Sequence, residues 1–232
     1  MLTKHRLWHY QLLPAFVSLI ITSLMVALML WCANLLRGWV DQRWEFQNEG
    51  LDDFLALAVG AGALVFMVLI FLFLHKHIVL VALSPFLGRI AEVITRAECG
   101  PQPDTVMNQW QSLRRSGVIN TRSVFVELLC TIPLGLVGLI PVLSPFTLVA
   151  ILFISARYAG NGLMDFPLEY RGLSVRQSVE WSRQHKATSM GVGLGYQLLL
   201  MIPLLGWMFA PTFGTVAGTI RSIEEMRKSE AR

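Results

Sequence analysis

The sequence has little of what a soluble or chemically reactive protein needs. Of 232 residues, 15% are Asp, Glu, Lys or Arg and 54% are hydrophobic, which excludes an ordinary water-soluble domain. Cysteine is scarce. Cys32, Cys99 and Cys130 are the 3 present, and none sits in a CxxC or metal-ligand spacing, so no disulfide framework and no thiolate metal site is indicated. No HExxH, GxSxG or P-loop occurs, and no paired carboxylates lie inside the apolar stretches. The chain therefore reads as a non-enzyme without a cofactor. The glycine run Gly191-Val192-Gly193-Leu194-Gly195 imitates a nucleotide loop but follows no strand, and it reads as helix packing. His75 and His77 are two apart, which on a helix turns their side chains about 200° from each other. They read as an interfacial pair around Lys76, not as metal ligands.

What the sequence has instead is long uncharged apolar stretches. No Asp, Glu, Lys or Arg lies between Arg6 and Arg37. Leu12–Leu36 is long enough to cross a ~30 Å hydrocarbon core with some tilt. Trp8 and Tyr10 at one end, with Trp31 and Trp39 at the other, suit interfacial belts. Lys4 and Arg6 before this run resemble a signal peptide, but the run is too long and no small-x-small cleavage site follows, so a retained first helix is expected. Phe54–Leu74 is a second uncharged span and continues through His75-Lys76-His77 to Leu83. The chain is an integral membrane protein, and the lipid bilayer is its first partner.

The formal net charge of +4 sits in short loops beside apolar runs. Positive-inside topology accounts for it, and nucleic acid is not indicated as a partner. Basic residues outnumber acidic ones at the N-terminus (Lys4, Arg6), over residues 75–123, over 157–186 and in the tail. These four segments read as cytoplasmic, and only the loop 37–53 as external. Ser84-Pro85 reads as N-cap and N1 of a helix. Its apolar face would carry Phe86, Leu87, Ile90, Val93, Ile94 and Ala97, with Arg89, Glu92 and Arg96 opposite. A short polar helix is expected over Asp104–Ser116, ending at Gly117. Ser174-x-x-Gln177 is a capping box that opens a further short helix through Lys186.

Two further apolar runs, Leu128–Ser155 and Ala187–Ile220, carry helix breakers: Pro133, Gly135, Gly138, Pro141 and Pro145 in the first, Pro203, Gly206 and Pro211 in the second. Ile140-Pro141-Val142-Leu143 is echoed by Ile202-Pro203-Leu204-Leu205. Neither run is long enough for two full crossings, which need roughly 40 residues and a turn. A single crossing would put a basic flank outside. Two re-entrant hairpins satisfy both length and charge, with their breaks buried in protein or lining a cavity. The predicted architecture is thus one all-α membrane domain over residues 1–232, with two long transmembrane helices and two Pro-broken, hemi-penetrating hairpins.

Helix restarts expose free N–H groups and a dipole that favour anions. Ser144, Thr147, Thr212 and Thr215 fall near the restarts, where their hydroxyls would bind an oxyanion or satisfy freed backbone groups. Glu127, at the mouth of the first run, is either a functional ionisable group or an interfacial carboxylate paired with Arg122 or another base. Arg6, Arg89 and Arg157 are the candidate recruiting charges.

The order of Ile140-Pro141-Val142-Leu143-Ser144-Pro145, Arg157-Tyr158, Met164-Asp165-Phe166-Pro167-Leu168-Glu169, Leu173-Ser174-Val175-Arg176, Ile202-Pro203-Leu204-Leu205-Gly206 and Ala210-Pro211 resembles the CysZ-type sulfate transporter and etoposide-induced protein family. Leu13-Pro14 and Leu83-Ser84-Pro85-Phe86 extend the resemblance over nearly the whole chain. The resemblance implies two long spans with two hemi-penetrating hairpins, homo-oligomers, and, in bacteria, sulfate uptake across the inner membrane. Eukaryotic members are reticulum membrane proteins. The family's Gly-containing turn with nearby Arg has no counterpart here: the region is Trp8-His9-Tyr10-Gln11-Leu12-Leu13-Pro14, where Arg6 is the nearest cation and His9 a partial substitute. The expected function is a permease or channel-like protein for sulfate or a related small anion, with both termini cytoplasmic. The alternative is a non-transporting membrane scaffold of the same fold. Substrate contacts are assigned to Arg6, His9, Arg89, Glu127, Ser144, Thr147, Arg157 and Thr212.

Overall fold

The computed structural model describes residues 8–43, 60, 67–68, 70–71, 73–100, 108–138, 140–202 and 204–230. Among the described residues every regular element is helical: α1 (Trp8–Arg43), α2 (Phe73–Ala82), α3 (Ser84–Cys99), α4 (Gln109–Val137), α5 (Ser144–Tyr170), α6 (Val175–Gln184), α7 (Lys186–Leu200) and α8 (Leu205–Glu230). Three stretches are long and apolar enough to cross a membrane: Leu13–Leu36, Trp110–Val137 and Ser144–Tyr170. A fourth combines α2 and α3, which meet at a 66° bend. The chain is a multi-pass membrane protein in contact with lipid.

The chain divides into two compact units, residues 20–76 and residues 1–19 with 77–232. In the first, the α1 residue Thr22 bonds its hydroxyl to His75 Nε2 at 2.8 Å. His75 also packs its ring 5.4 Å from Phe71, and Lys76 places its ammonium 5.2 Å above Phe73. His75 and Lys76 are buried, as is His77 in the second unit. The pair expected at the interface around Lys76 is thus packed inside the protein, Lys76 included. The predicted external loop begins later than expected, because α1 continues through Arg43, and most of the second span lies outside the described residues.

In the second unit α5 is the central helix. Its length from Leu163 to Tyr170 is buried without interruption. Glycine lets α7 lie against it with the backbones touching: a Cβ on Gly160 would stand 1.8 Å from Ser189 O, and one on Gly193 1.7 Å from Ala156 O. This small-residue contact is how membrane helices approach closely. It uses Gly193, whereas Gly191 and Gly195 face open space.

Two antiparallel hairpins build the unit. Gly138 against Thr147, Asn120 against Gly162 and Arg115 against Asp165 place α5 back along α4. Gly206 against Leu199, Gly214 against Tyr196 and Thr188 against Glu225 do the same for α7 and α8. Helix is interrupted around Pro141, and again at Met201, Ile202 and Leu204, the last with φ 61°; Pro203 lies outside the described residues. Other breakers are absorbed into helices. Pro133, Pro167 and Pro211 all lie inside them. A proline lacks its N–H and so frees the carbonyl four residues earlier. Pro211 frees Trp207 O, to which Ser18 donates at 2.5 Å. Pro167 frees Leu163 O, and Gly218 approaches that carbonyl to within 3.2 Å of its ideal Cβ position. Neighbouring groups of this kind are what make proline tolerable in a membrane helix.

Several expected boundaries shift. The polar helix predicted to end at Gly117 instead runs on as the 29-residue α4. It opens at Asn108 with a capping box to Gln111. One interior glycine costs only about 1 kcal/mol relative to alanine, too little to stop a packed helix. The expected linker 157–186 is helical through Tyr170, so Asp165 and Glu169 are buried on α5. Ser84 is not the cap of α3: Leu83 holds the N-cap position, Pro85 lies in the first turn, and the Ser84 hydroxyl is buried without a partner. The apolar face of α3 buries Leu87, Ile90 and Ile94 as expected, while Ala97 is exposed and Glu92 is buried between Arg89 and Arg96. The α6 capping box forms as predicted, Ser174 and Gln177 bonding reciprocally.

Candidate functional site

The residues picked out by sequence do not converge. Arg6 lies outside the described residues, and of His9 only the helical backbone is described. Arg89 is exposed on α3 and bonds Glu92 at 3.3 Å. Ser144 opens α5, and the Thr147 hydroxyl donates to Ser144 O at 2.9 Å. Thr215 donates likewise to Pro211 O at 2.8 Å, while the Thr212 hydroxyl is buried with no partner among the described residues. Glu127 is wholly buried on α4 and meets His77 Nε2 at 3.0 Å, so its base is His77 and not Arg122. Asn120 donates to Ser116 O and thereby turns its Oδ1 toward His77 Nδ1, 3.3 Å away. Arg157 lines a cavity.

That cavity, of about 110 Å³, lies where α4, α5 and α6 meet. From α4 it takes Ile119, Arg122, Ser123 and Val126; from α5, Arg157, Tyr158, Asn161 and Asp165; from α6, Ser178, Val179, Ser182 and Arg183. Each set repeats at three- and four-residue intervals, which places it on one face of its helix. The volume exceeds that of several waters but falls well below the ~300–1,000 Å³ of a drug-sized ligand site.

Arg115 fixes the inner wall. Its Nη2 donates to Asp165 Oδ1 at 2.7 Å and to Ser178 Oγ at 2.6 Å, its Nε to Asp165 Oδ2 at 3.0 Å, and its Nη1 to Leu173 O. One side chain of α4 thus ties α5, α6 and the turn between them. Both members of the pair are nearly sealed, Arg115 at 5% and Asp165 at 4% side-chain exposure. On the adjoining wall Ser182 donates to Asn161 Oδ1, which leaves the Asn161 amide N–H groups as its free end.

The charge balance follows. Arg115 faces both Asp165 and, at 3.9 Å, Glu169, and the cavity is lined besides by Arg122, Arg157 and Arg183. None of these three has an ion pair among the described residues. Arg122 and Arg183 are exposed and Arg157 is half-buried, with a buried Nε that has no hydrogen-bond partner among the described residues. Its guanidinium stands 6.0 Å from the Tyr158 ring centroid. An orphaned, buried N–H on a permanent cation is an expensive arrangement unless an acceptor arrives. Arginine's planar fork matches oxyanions bidentately. The set Arg122, Asn161, Arg157 and Arg183 can therefore hold one small oxyanion.

Fold and site together define a class: a polytopic, all-helical membrane protein with paired helical hairpins and a cationic cavity at their polar end. Residues 1–211 match the family described as Sulfate transporter CysZ/Etoposide-induced protein 2.4. The chain belongs to that family. No curated protein matches the sequence. Sequence reasoning missed Arg122, Asn161 and Arg183 as partners of Arg157. The signal was there in their helical spacings, but nothing local tells which faces meet.

Proposed function

We propose that this protein is a permease or channel-like protein for sulfate or a related small anion, and not an enzyme. The observation that carries this reading is the cluster of three arginines around a small cavity, unpaired among the described residues, with a buried Arg157 N–H that meets no acceptor there. Arg122 and Arg183 at the mouth recruit the anion, and Arg157 with Asn161 holds it. Such recruitment weakens as salt rises. The family's named sulfate transporters support the substrate class.

The hairpins are proposed to be re-entrant. Between Glu127 and Arg157 no charge occurs. The uncharged arms are residues 128–137 and 144–156, which span roughly 15 and 20 Å at 1.5 Å per residue. Each is about half of a ~30 Å core. The break expected to be buried or to line a cavity is instead exposed in the single chain, with Val142 at 77% and Phe146 at 72% exposure, and a neighbouring copy of the chain is proposed to cover its irregular backbone. The second hairpin has the same form: α7 is 15 residues, about 22 Å. Both hairpins then return their charged ends to the cytoplasmic face of a bacterial inner membrane, with both termini on that side. Copies are proposed to assemble as homo-oligomers around the path.

Radiolabelled sulfate uptake into liposomes containing the purified protein tests the reading, with empty liposomes as control. Uptake above control that other oxyanions compete away supports it. No uptake by folded, inserted protein would make the chain a membrane scaffold of this fold.

A further inference from the structure

The cavity holds, besides its cations, an acceptor that a fully ionised anion does not satisfy. Asp165 lines the inner wall, and each of its oxygens accepts a single Arg115 N–H. A carboxylate offers about four lone-pair sites, so two of them have no donor from Arg115. Ser182 donates to Asn161 Oδ1, which leaves the Asn161 amide N–H groups to donate elsewhere. The lining thus offers donors on the side of Arg157, Asn161 and Arg183, and an acceptor at Asp165.

On the anion reading above, we propose that this cavity prefers a tetrahedral oxyanion that still carries a proton, of which hydrogenphosphate is the common example, over sulfate. The charged oxygens face the arginines and the Asn161 amide, and the P–OH donates to the Asp165 carboxylate. Sulfate near neutrality carries no proton and sets a lone pair against that carboxylate instead. Sites built around a ligand hydroxyl discriminate strongly against analogues that lack it, because the polar group is left facing no partner.

The test is equilibrium binding to the full chain in detergent at neutral pH and fixed ionic strength. The ligands are inorganic phosphate, sulfate and monofluorophosphate, the last a tetrahedral phosphorus dianion with fluorine in place of the hydroxyl. Phosphate binding at least about tenfold tighter than both others is expected. Sulfate or monofluorophosphate binding as tightly as phosphate overturns this inference and leaves the anion reading standing. Binding of none of the three overturns both. Asp165→Asn should bring the phosphate-to-sulfate ratio near one, and an unchanged ratio in the folded variant removes Asp165 from the argument. Because that substitution also disturbs Arg115, the ligand series on the unaltered chain decides by itself.

Discussion

Replacing Arg115 by methionine should be among the most damaging single changes outside the glycine contacts. The side chain is 5% exposed and its partner Asp165 4%, joined at 2.7 and 3.0 Å. Removing one member of such a buried pair leaves the other charge uncompensated, which costs about 3–5 kcal/mol. Arg115→Met also strips the donor from Ser178 Oγ and from Leu173 O, so the upper part of that range is expected. At about 2–4 °C per kcal/mol for chains of this size, the melting temperature should fall by ~6–20 °C. Thermal unfolding in detergent, followed by intrinsic tryptophan fluorescence, reads this directly. The double variant Arg115→Met with Asp165→Leu should regain part of the loss, because the uncompensated Asp165 charge is gone, while Ser178 Oγ, Leu173 O and Glu169, 3.9 Å from the Arg115 guanidinium, still lack their donor. A single-variant loss below about 1 kcal/mol, the scale of an exposed pair, would refute the claim that Arg115 ties α4, α5 and α6 together.

Other expectations follow from the same geometry. Gly193→Val should abolish folding, since a Cβ there would meet Ala156 O at 1.7 Å, whereas Gly191→Ala, facing open space, should be neutral or stabilising; expression and melting of the two variants separate them. Ser174→Ala removes the α6 cap and should cost about 1 kcal/mol, read as faster amide exchange over Val175–Gln184. The Lys228 ammonium, 3.1 Å from Glu225, holds that carboxyl below its ordinary range. Its contribution is present above the ordinary carboxylate pKa and is lost as pH falls through the lowered value. Glu225→Gln should accordingly remove an acid-dependent loosening of the end of α8, seen by amide exchange. A cysteine at Val142 should resist water-soluble maleimide from both sides of the membrane, while cysteines at Gln184 and Ser229 label from one and the same side. Labelling of Val142 from the opposite face would make α4 and α5 full crossings.

Much of the architecture was readable before any coordinates. The α1 span, the break at Pro141 and the Ser174 capping box are local patterns of charge, proline and side-chain chemistry, and each appears where the pattern puts it. What failed was reading breakers as stops. Gly117 looks like an end, but packing against neighbouring helices outweighs about 1 kcal/mol for the glycine, and Pro133 and Pro211 are absorbed within α4 and α8. The site was less legible. Arg115 and Asp165 are fifty residues apart, as are His77 and Glu127, and no spacing rule joins residues at that separation. Arg157 was identifiable as a cation at the end of an apolar run; its companions needed the packing of three helices to be known.

The most direct measurement is sulfate uptake into liposomes by Arg157→Gln compared with unaltered protein, with Arg221→Gln on the exposed tail of α8 as control. At least about a tenfold loss is expected for Arg157→Gln and none for Arg221→Gln, with both proteins equally folded and inserted. Equal uptake by Arg157→Gln and the unaltered protein would contradict the anion role of Arg157.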